Sequence, residues 1–437
     1  MSLISCSRGG VAVTPATSGA WGPSGTRPNT EVVAPLYDFG GHGGKDGTIG
    51  DIGGYAGLIG SATALYGTAP GGGDTSCKWK YFTIAITGCG VVYKLTPKSG
   101  SSTYEETLLH VFKGPPDDGA GLFGSLFMSK NGEIYGTTYE GGKNNAGVIF
   151  KMNASGSGYS VIHNFGGAPD GAYPWGGIIE ANGILYGVTT GGGTHQNSAC
   201  NQQGFGSSDK YCGTLYSLNE ATGAEKVLHN FGAGTDDGIN PFFPLTYVNG
   251  VLYGTTLLGL GKNADGTVFA VSPTTRKERI LSTPGLYVAP NSPVLAINGI
   301  LYGEAEYSSG GSCCWGAVFS LDISSGSQHV LHDFQESNYE DGYAPSTGLL
   351  YRNGRLYGST IRGGSSTECD ETGSLAGCGT IFSLELDGAG FSVLASFSGG
   401  KGGEFPEDKP LYSGGLLYGT TILGGTQNDG TAFKVPL

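Results

Sequence analysis

Hydrophobic and polar positions along this chain alternate with a period of two. The alternation comes in short stretches cut by glycine, and no stretch has the spacing of an amphipathic helix. Leu/Ile-Tyr-Gly occurs seven times, with tyrosines at Tyr66, Tyr135, Tyr186, Tyr253, Tyr302, Tyr357 and Tyr418. Each copy is followed by a Gly-x-x-aromatic run, such as GVIFKM from Gly147, GTLYSL from Gly213 or GTIFSL from Gly379. Then comes LHVF at Leu109, IHNF at Ile162, LHNF at Leu228 or LHDF at Leu331, with weaker copies at Leu36 and Leu394. Short runs rich in β-branched and aromatic residues read as strands. Asn-Gly favours a tight hairpin because both turn residues need positive φ. It stands before the Tyr-Gly strand at Asn131, Asn182, Asn249, Asn298 and Asn353, and an apolar run such as GGIIEA precedes it. One unit is therefore four antiparallel strands: A (GGIIEA), B (ILYGVT), C (GTLYSL) and D (EKVLHNF).

Seven such units predict an all-β fold, a seven-bladed β-propeller with four-stranded antiparallel blades. A linear array would leave two open sheet edges, which proteins avoid. The closing run GTAFKVPL is a C strand, and the first repeat-like element, EVVAPLYDFG at residues 31–40, is a D strand. The N-terminal strand is thus expected to complete the last blade. Long spacings are assigned to insertions between strands B and C, at residues 69–88 and 190–212. The propeller is expected to span 31–437, and residues 1–30, rich in Gly, Ser, Thr and Pro, to form a loosely packed arm.

Glycine makes up 83 of 437 residues. Its lock to the repeat marks turns and bulges rather than a flexible linker. The formal charge of −13 and the lack of any Lys/Arg cluster count against nucleic acid and anionic membranes as partners. No apolar run is long enough to span a bilayer. A monomer is expected.

The nine cysteines fall mostly in pairs at one place in the repeat. Cys77 and Cys89, Cys200 and Cys212, and Cys369 and Cys378 each end directly before the Gly that opens strand C. Recurring pairs read as local disulfides and imply an oxidising compartment, hence a secreted or cell-surface protein. Metal binding is the weaker alternative, because CxxC is absent. Cys313 and Cys314 are adjacent, ahead of Trp315. Bonded to each other they would form a strained ring beside an indole, a possible ligand platform; the alternative is two free thiols. Cys6 in LISCS matches the end of a lipobox and would carry lipid if the match is real, although no signal-peptide apolar region precedes it.

The pattern LHNFG…DGA.P…GIIEANGILYGVTT.GG…GTLYSL resembles the GloVer tandem repeat of choice-of-anchor bacterial proteins, over nearly all of residues 31–437. The resemblance implies a secreted or surface-tethered bacterial protein and implies no reaction. The chain is expected to depart from the family in lacking an obvious C-terminal anchor at GTAFKVPL.

Candidate chemistry gathers where D–A and B–C loops share a face. Asp46, Asp118, Asp170, Asp237 and Asp341 each precede Gly there, and Glu407-Asp408 is expected to take that place in the last repeat. Five copies suit an Asp that bonds its own turn; the alternative is a shared cation site. His110, His163, His229 and His332 lie in four separate strands and cannot converge on one metal. They read as packing residues bonded to nearby turns. Tyr55, Phe123, Tyr173, Trp175, Phe242, Phe243, Tyr343 and Phe405 should surround the channel mouth, with Tyr173, Trp175 and Trp315 the most exposed. Aromatic rings beside carboxylates suit sugars; packing between blades is the alternative. Glu304 and Glu306 replace the usual Thr pair in one unit only. No nucleophile, metalloprotease, P-loop or dinucleotide motif is present, and no cofactor is expected.

Three classes of function follow. A binding module for glycan or a surface partner would show exposed aromatics without a convergent acid–base pair. A glycan hydrolase or lyase would need two carboxylates at a defined separation. A structural or adhesive scaffold would need neither.

Overall fold

The computed structural model describes residues 31–40, 57–81, 84–200, 210–260, 266–281, 287–308, 315–369 and 377–437. Cys6, Asp46, Tyr55, Cys313, Cys314 and the N-terminal arm lie outside them, as does the side chain of Glu306. Seven antiparallel sheets form a ring, a seven-bladed β-propeller. In blade 3 the order is A (Ile179–Ala181), B (Ile184–Thr189), C (Thr214–Asn219), D (Glu225–Asn230), each strand paired with the next. The insertion of blade 1 folds as its own hairpin, Lys78–Tyr81 with Ile84–Thr87.

The ring closes as the termini predict. Ala34–Asp38 pairs antiparallel with Thr431–Pro436 and supplies strand D of blade 7. A short strand precedes it: Glu31–Val32 runs parallel to Ser392–Ser396, strand D of blade 6. The N-terminal segment thus spans two blades.

Strand A is less continuous than the repeat suggests. In blade 4, Gly238–Pro241 and Thr246–Val248 both pair with the long strand Val251–Gly259. The residues between them leave the sheet and run past the ring axis. A left-handed residue precedes the excursion in five blades: Gly121, Tyr173, Asn240, Ala344 and Phe405 all have φ between 51° and 71°. The Asn-Gly turns hold at Asn182, Asn249, Asn298 and Asn353, where Asn and Gly both have positive φ. Asn131 differs. There only Gly132 is left-handed, and Ser129 bonds Glu133 across a longer turn.

Packing explains the Tyr-Gly pair. A Cβ on Gly303, Gly358 or Gly419 would lie 2.7, 2.5 and 2.6 Å from the ring of Phe319, Phe382 and Phe433 in the adjoining strand C. Glycine is the seat of the strand-C aromatic. The Leu before each Tyr-Gly and the Phe after each His are buried, and clusters of such residues join neighbouring blades.

Candidate functional site

Most repeated polar residues are consumed by the fold. The second Thr after Tyr-Gly meets the first residue of strand C, as in Thr189–Thr214 at 2.8 Å and Thr256–Thr267 at 2.9 Å. The first Thr reaches the next blade: Thr137 donates to the carbonyl of Gly176 and Thr255 to that of Ser292. Asp and His form one unit. His110 lies 3.0 Å from Asp118, His163 3.6 Å from Asp170, His229 3.4 Å from Asp237 and His332 3.4 Å from Asp341. The carboxylates also accept turn amides, those of Gly119, Gly166, Gly171 and Ala233 among them. Burial raises the Asp118 carboxyl, but bonds from His110 and Tyr159 outweigh it and hold it below the usual range. Asp170 is likewise raised by burial and held low overall by His163 and two amides.

The axial excursions touch from blade to blade. Gly57 donates to Ser125, and Gly177 backs onto the Ser125 backbone. Gly176 faces the Phe242 carbonyl, and Gly348 faces Pro293 and Lys409. Blades 2 to 4 place aromatic residues here. Phe123 stacks on Trp175 at 4.1 Å, and Trp175 meets Phe242 edge-on at 5.4 Å. Blades 5 to 7 place polar residues: Ser292, Ser346, Thr347, Glu407 and Asp408 are all buried.

Burial pushes Glu407 up to about 8, with Asp408 beside it adding to the rise. Burial also pushes Asp408 up to about 7, against bonds from Thr420. Glu304 is fully buried and lifted to about 7, although it accepts the Gly348 amide at 2.7 Å. Lys409 is solvent-exposed, yet protein surrounds it closely enough to lower its pKa; the nearby Glu304 charge resists that shift.

The profile of the Gloeobacter/Verrucomicrobia repeat matches residues 24–201, 83–283, 201–370 and 289–437. The chain belongs to this family, GloVer. No curated protein matches it. Among solved structures it is similar to an oligogalacturonate lyase in complex with manganese, at TM-score 0.49 and 13% identity, covering 87% of this chain and 95% of that one. An oligogalacturonate lyase from Vibrio parahaemolyticus gives 0.47 and 11%, with 79% and 83% covered. TolB from Acinetobacter baumannii gives 0.39 and 11%, with 80% and 77% covered.

Within this GloVer ring the candidate residues sort clearly. Phe123, Trp175, Phe242 and Phe243 do come together, but the expected exposure of Trp175 and Trp315 is wrong: they are 5% and 7% exposed. Flat rings stacked across blades exclude water from each other. Tyr173 alone of the three keeps partial exposure. Tyr343 packs against Trp315 at 4.8 Å and is buried. Trp315 occupies the place that the second cysteine holds in three other blades, and its carbonyl takes the Ala344 amide of the next blade.

Glu407-Asp408 are not the last Asp-Gly turn. Gly403 fills that turn position, since its Cβ would strike Thr421 and Thr431 as Gly238's would strike Thr256 and Thr267. The two acids belong to the axial excursion, displaced by the intervening Glu404–Pro406 strand. Glu304 is an elongated version of the inter-blade Thr, reaching blade 6 rather than solvent. Lys409 belongs to no sequence motif. Its one signal is register: the equivalent residues are Gly57, Ser125, Gly177, Pro244, Pro293 and Gly348.

Three disulfides, Cys77–Cys89, Cys200–Cys212 and Cys369–Cys378, form as paired in the sequence, with Cα–Cα distances of 5.6, 5.0 and 5.3 Å. They fit an oxidising, extracellular environment. No helix among the described residues is long and apolar enough to cross a membrane.

Proposed function

We propose that this chain is a secreted or surface-exposed binding module that takes a glycan at the axial channel, from the face carrying the D–A and B–C loops. The observation that carries the reading is the split axial ring. Blades 2 to 4 supply aromatic residues to the excursions, whereas blade 7 supplies Glu407, Asp408 and the exposed Lys409. Sugars offer apolar C–H faces and hydroxyls, and a ring with one apolar and one polar half suits both. Repeats show what the scaffold needs, so charged departures from them mark what the scaffold does not need. Tyr173 and Lys409 are the contacts proposed to meet ligand first; Asp170, Asp237, Phe242, Tyr343, Trp175, Trp315, Glu304 and Glu306 support the mouth. Cys313 and Cys314 remain proposed as part of the rim.

A second reading is a structural or adhesive scaffold, favoured by the burial of Trp175 and Trp315. A glycan-array screen of the oxidised protein, with Tyr173→Ala and Lys409→Gln beside it, separates the two. Binding that falls at least tenfold in either folded variant supports the channel site. Failure of the intact protein to bind any glycan sinks the glycan reading and favours the scaffold. Turnover of a bound glycan would instead move the chain to the hydrolase or lyase class.

A further inference from the structure

In blades 2, 4 and 6 the residue four places before the strand-D histidine, or before the position equivalent to it, faces the His–Asp pair of the preceding blade, and it varies. In blade 2 it is Tyr159, which stacks on His110 at 3.5 Å and donates to Asp118. In blade 6 it is Phe391, which stacks on His332 at 3.6 Å. Those two pairs are capped by an aromatic ring. In blade 4 the equivalent residue is Glu278, at the start of strand Glu278–Ile280. It adds a second carboxylate to His229 and Asp237, where a cap would otherwise sit.

We propose that His229, Asp237 and Glu278 bind a first-row divalent cation, of the Zn2+ or Mn2+ class, at the seam of blades 3 and 4. Their ligand atoms all lie within 4.8 Å of one another. His229 Nε2 is 3.4 Å from Asp237 Oδ2 and 3.5 Å from Glu278 Oε2. Both are long for hydrogen bonds. They match the roughly 3.4 Å edge of a tetrahedron whose metal–ligand bonds are about 2.1 Å. Three protein ligands leave one position for water.

A second observation points into the site. Asp237 is 6% exposed, and its Oδ1 receives no hydrogen bond from any donor among the described residues; nor does Oε1 of Glu278. Two buried carboxylate oxygens without donors are costly unless a cation or a shared proton compensates them. The neighbouring seam is the natural contrast. There His163, Asp170 and Glu225 repeat the residue types, but both oxygens of Asp170 accept amides, from Gly166 and Gly171. Among the described residues only the His229 group has metal-ligand spacing. An imidazole with two carboxylates suits Zn2+ or Mn2+; Ca2+ would want six to eight oxygens.

The test is calorimetric titration of chelator-treated, oxidised full-length protein with ZnCl2 and with MnCl2. The expected result is one equivalent bound with micromolar or tighter Kd for at least one metal. Glu278→Phe installs the aromatic cap that blade 6 uses and should fold, with at least tenfold weaker binding. Asp237→Asn should weaken binding similarly, and Glu225→Gln at the next seam should leave it unchanged. Absence of binding by the intact protein overturns the proposal and leaves a shared proton between the carboxylates. Unchanged affinity in folded Glu278→Phe also overturns it, since the metal would then sit elsewhere.

Discussion

At the scale of the residue, the repeat is a set of steric and polar requirements rather than a catalytic signature. Gly419 shows this most simply. Its missing Cβ is the space that Phe433 fills, and Phe433 is buried. Gly419→Ala should therefore destabilise the protein by about 1–3 kcal/mol, the usual cost of overpacking a tight core. A urea melt checks this; an unchanged midpoint would show that the ring can move aside. The left-handed Tyr173 and Phe405 carry the opposite message. A bulky residue with positive φ is unfavourable by roughly 1–2 kcal/mol. These side chains are held at the axial bends despite that cost. Gly121 has the same conformation without it.

At the scale of the element, strands and hairpins are legible in the sequence because their period and turn residues are local. The Tyr-Gly strand, the Asn-Gly turn at Asn182 and the paired cysteines all form as their local patterns predict. What is not legible depends on neighbours from other blades. Nothing in the local sequence of Trp175 says that Phe123 will stack on it, so its burial cannot be read there. Lys409 and Glu407-Asp408 are obscured by a shift in register that only strand pairing resolves.

The B–C loops belong to this scale too. Cys212 and Cys378 are buried, and their carbonyls take the amides of Asn240 and Phe405 in the next blade. A disulfide there fixes a loop and an inter-blade contact together. Replacing both Cys200 and Cys212 by Ser should cost about 2–3 kcal/mol, as expected for a short closed loop. Equal stability of this variant and the parent under oxidising conditions would refute that.

At the scale of the whole molecule, buried acids around the axis couple stability to pH. Glu304, Glu407 and Asp408 have folded-state values near 7, 8 and 7, above those of an unfolded chain. The folded state therefore holds more protons between about pH 4.5 and 8. Stability from these groups is full below the unfolded values and is lost as pH rises through 7 to 8. A tenfold difference in proton affinity between the folded and unfolded chain is worth about 1.4 kcal/mol per group. Lys409, lowered by desolvation against the pull of the Glu304 charge, has the opposite sign of linkage where it titrates. Tyr93, raised chiefly by burial with the Asp408 charge adding to it, stays neutral. Urea midpoints should fall between pH 5 and pH 8.5, and Glu304→Gln or Asp408→Asn should flatten the fall. A midpoint that climbs over this range would show that the carboxyls are ionised and compensated.

The closing strand has a consequence for how such a ring is made. Asp38 accepts the amide of Thr426, a partner 388 residues further along the chain. On the ribosome, Ala34–Asp38 appears long before its partner Thr431–Pro436. Domains fold as their residues arrive. Here the earliest strand of the ring must wait, unmatched, while six blades are laid down, and the circle becomes a single cooperative body only once the last strand of the ring has been made.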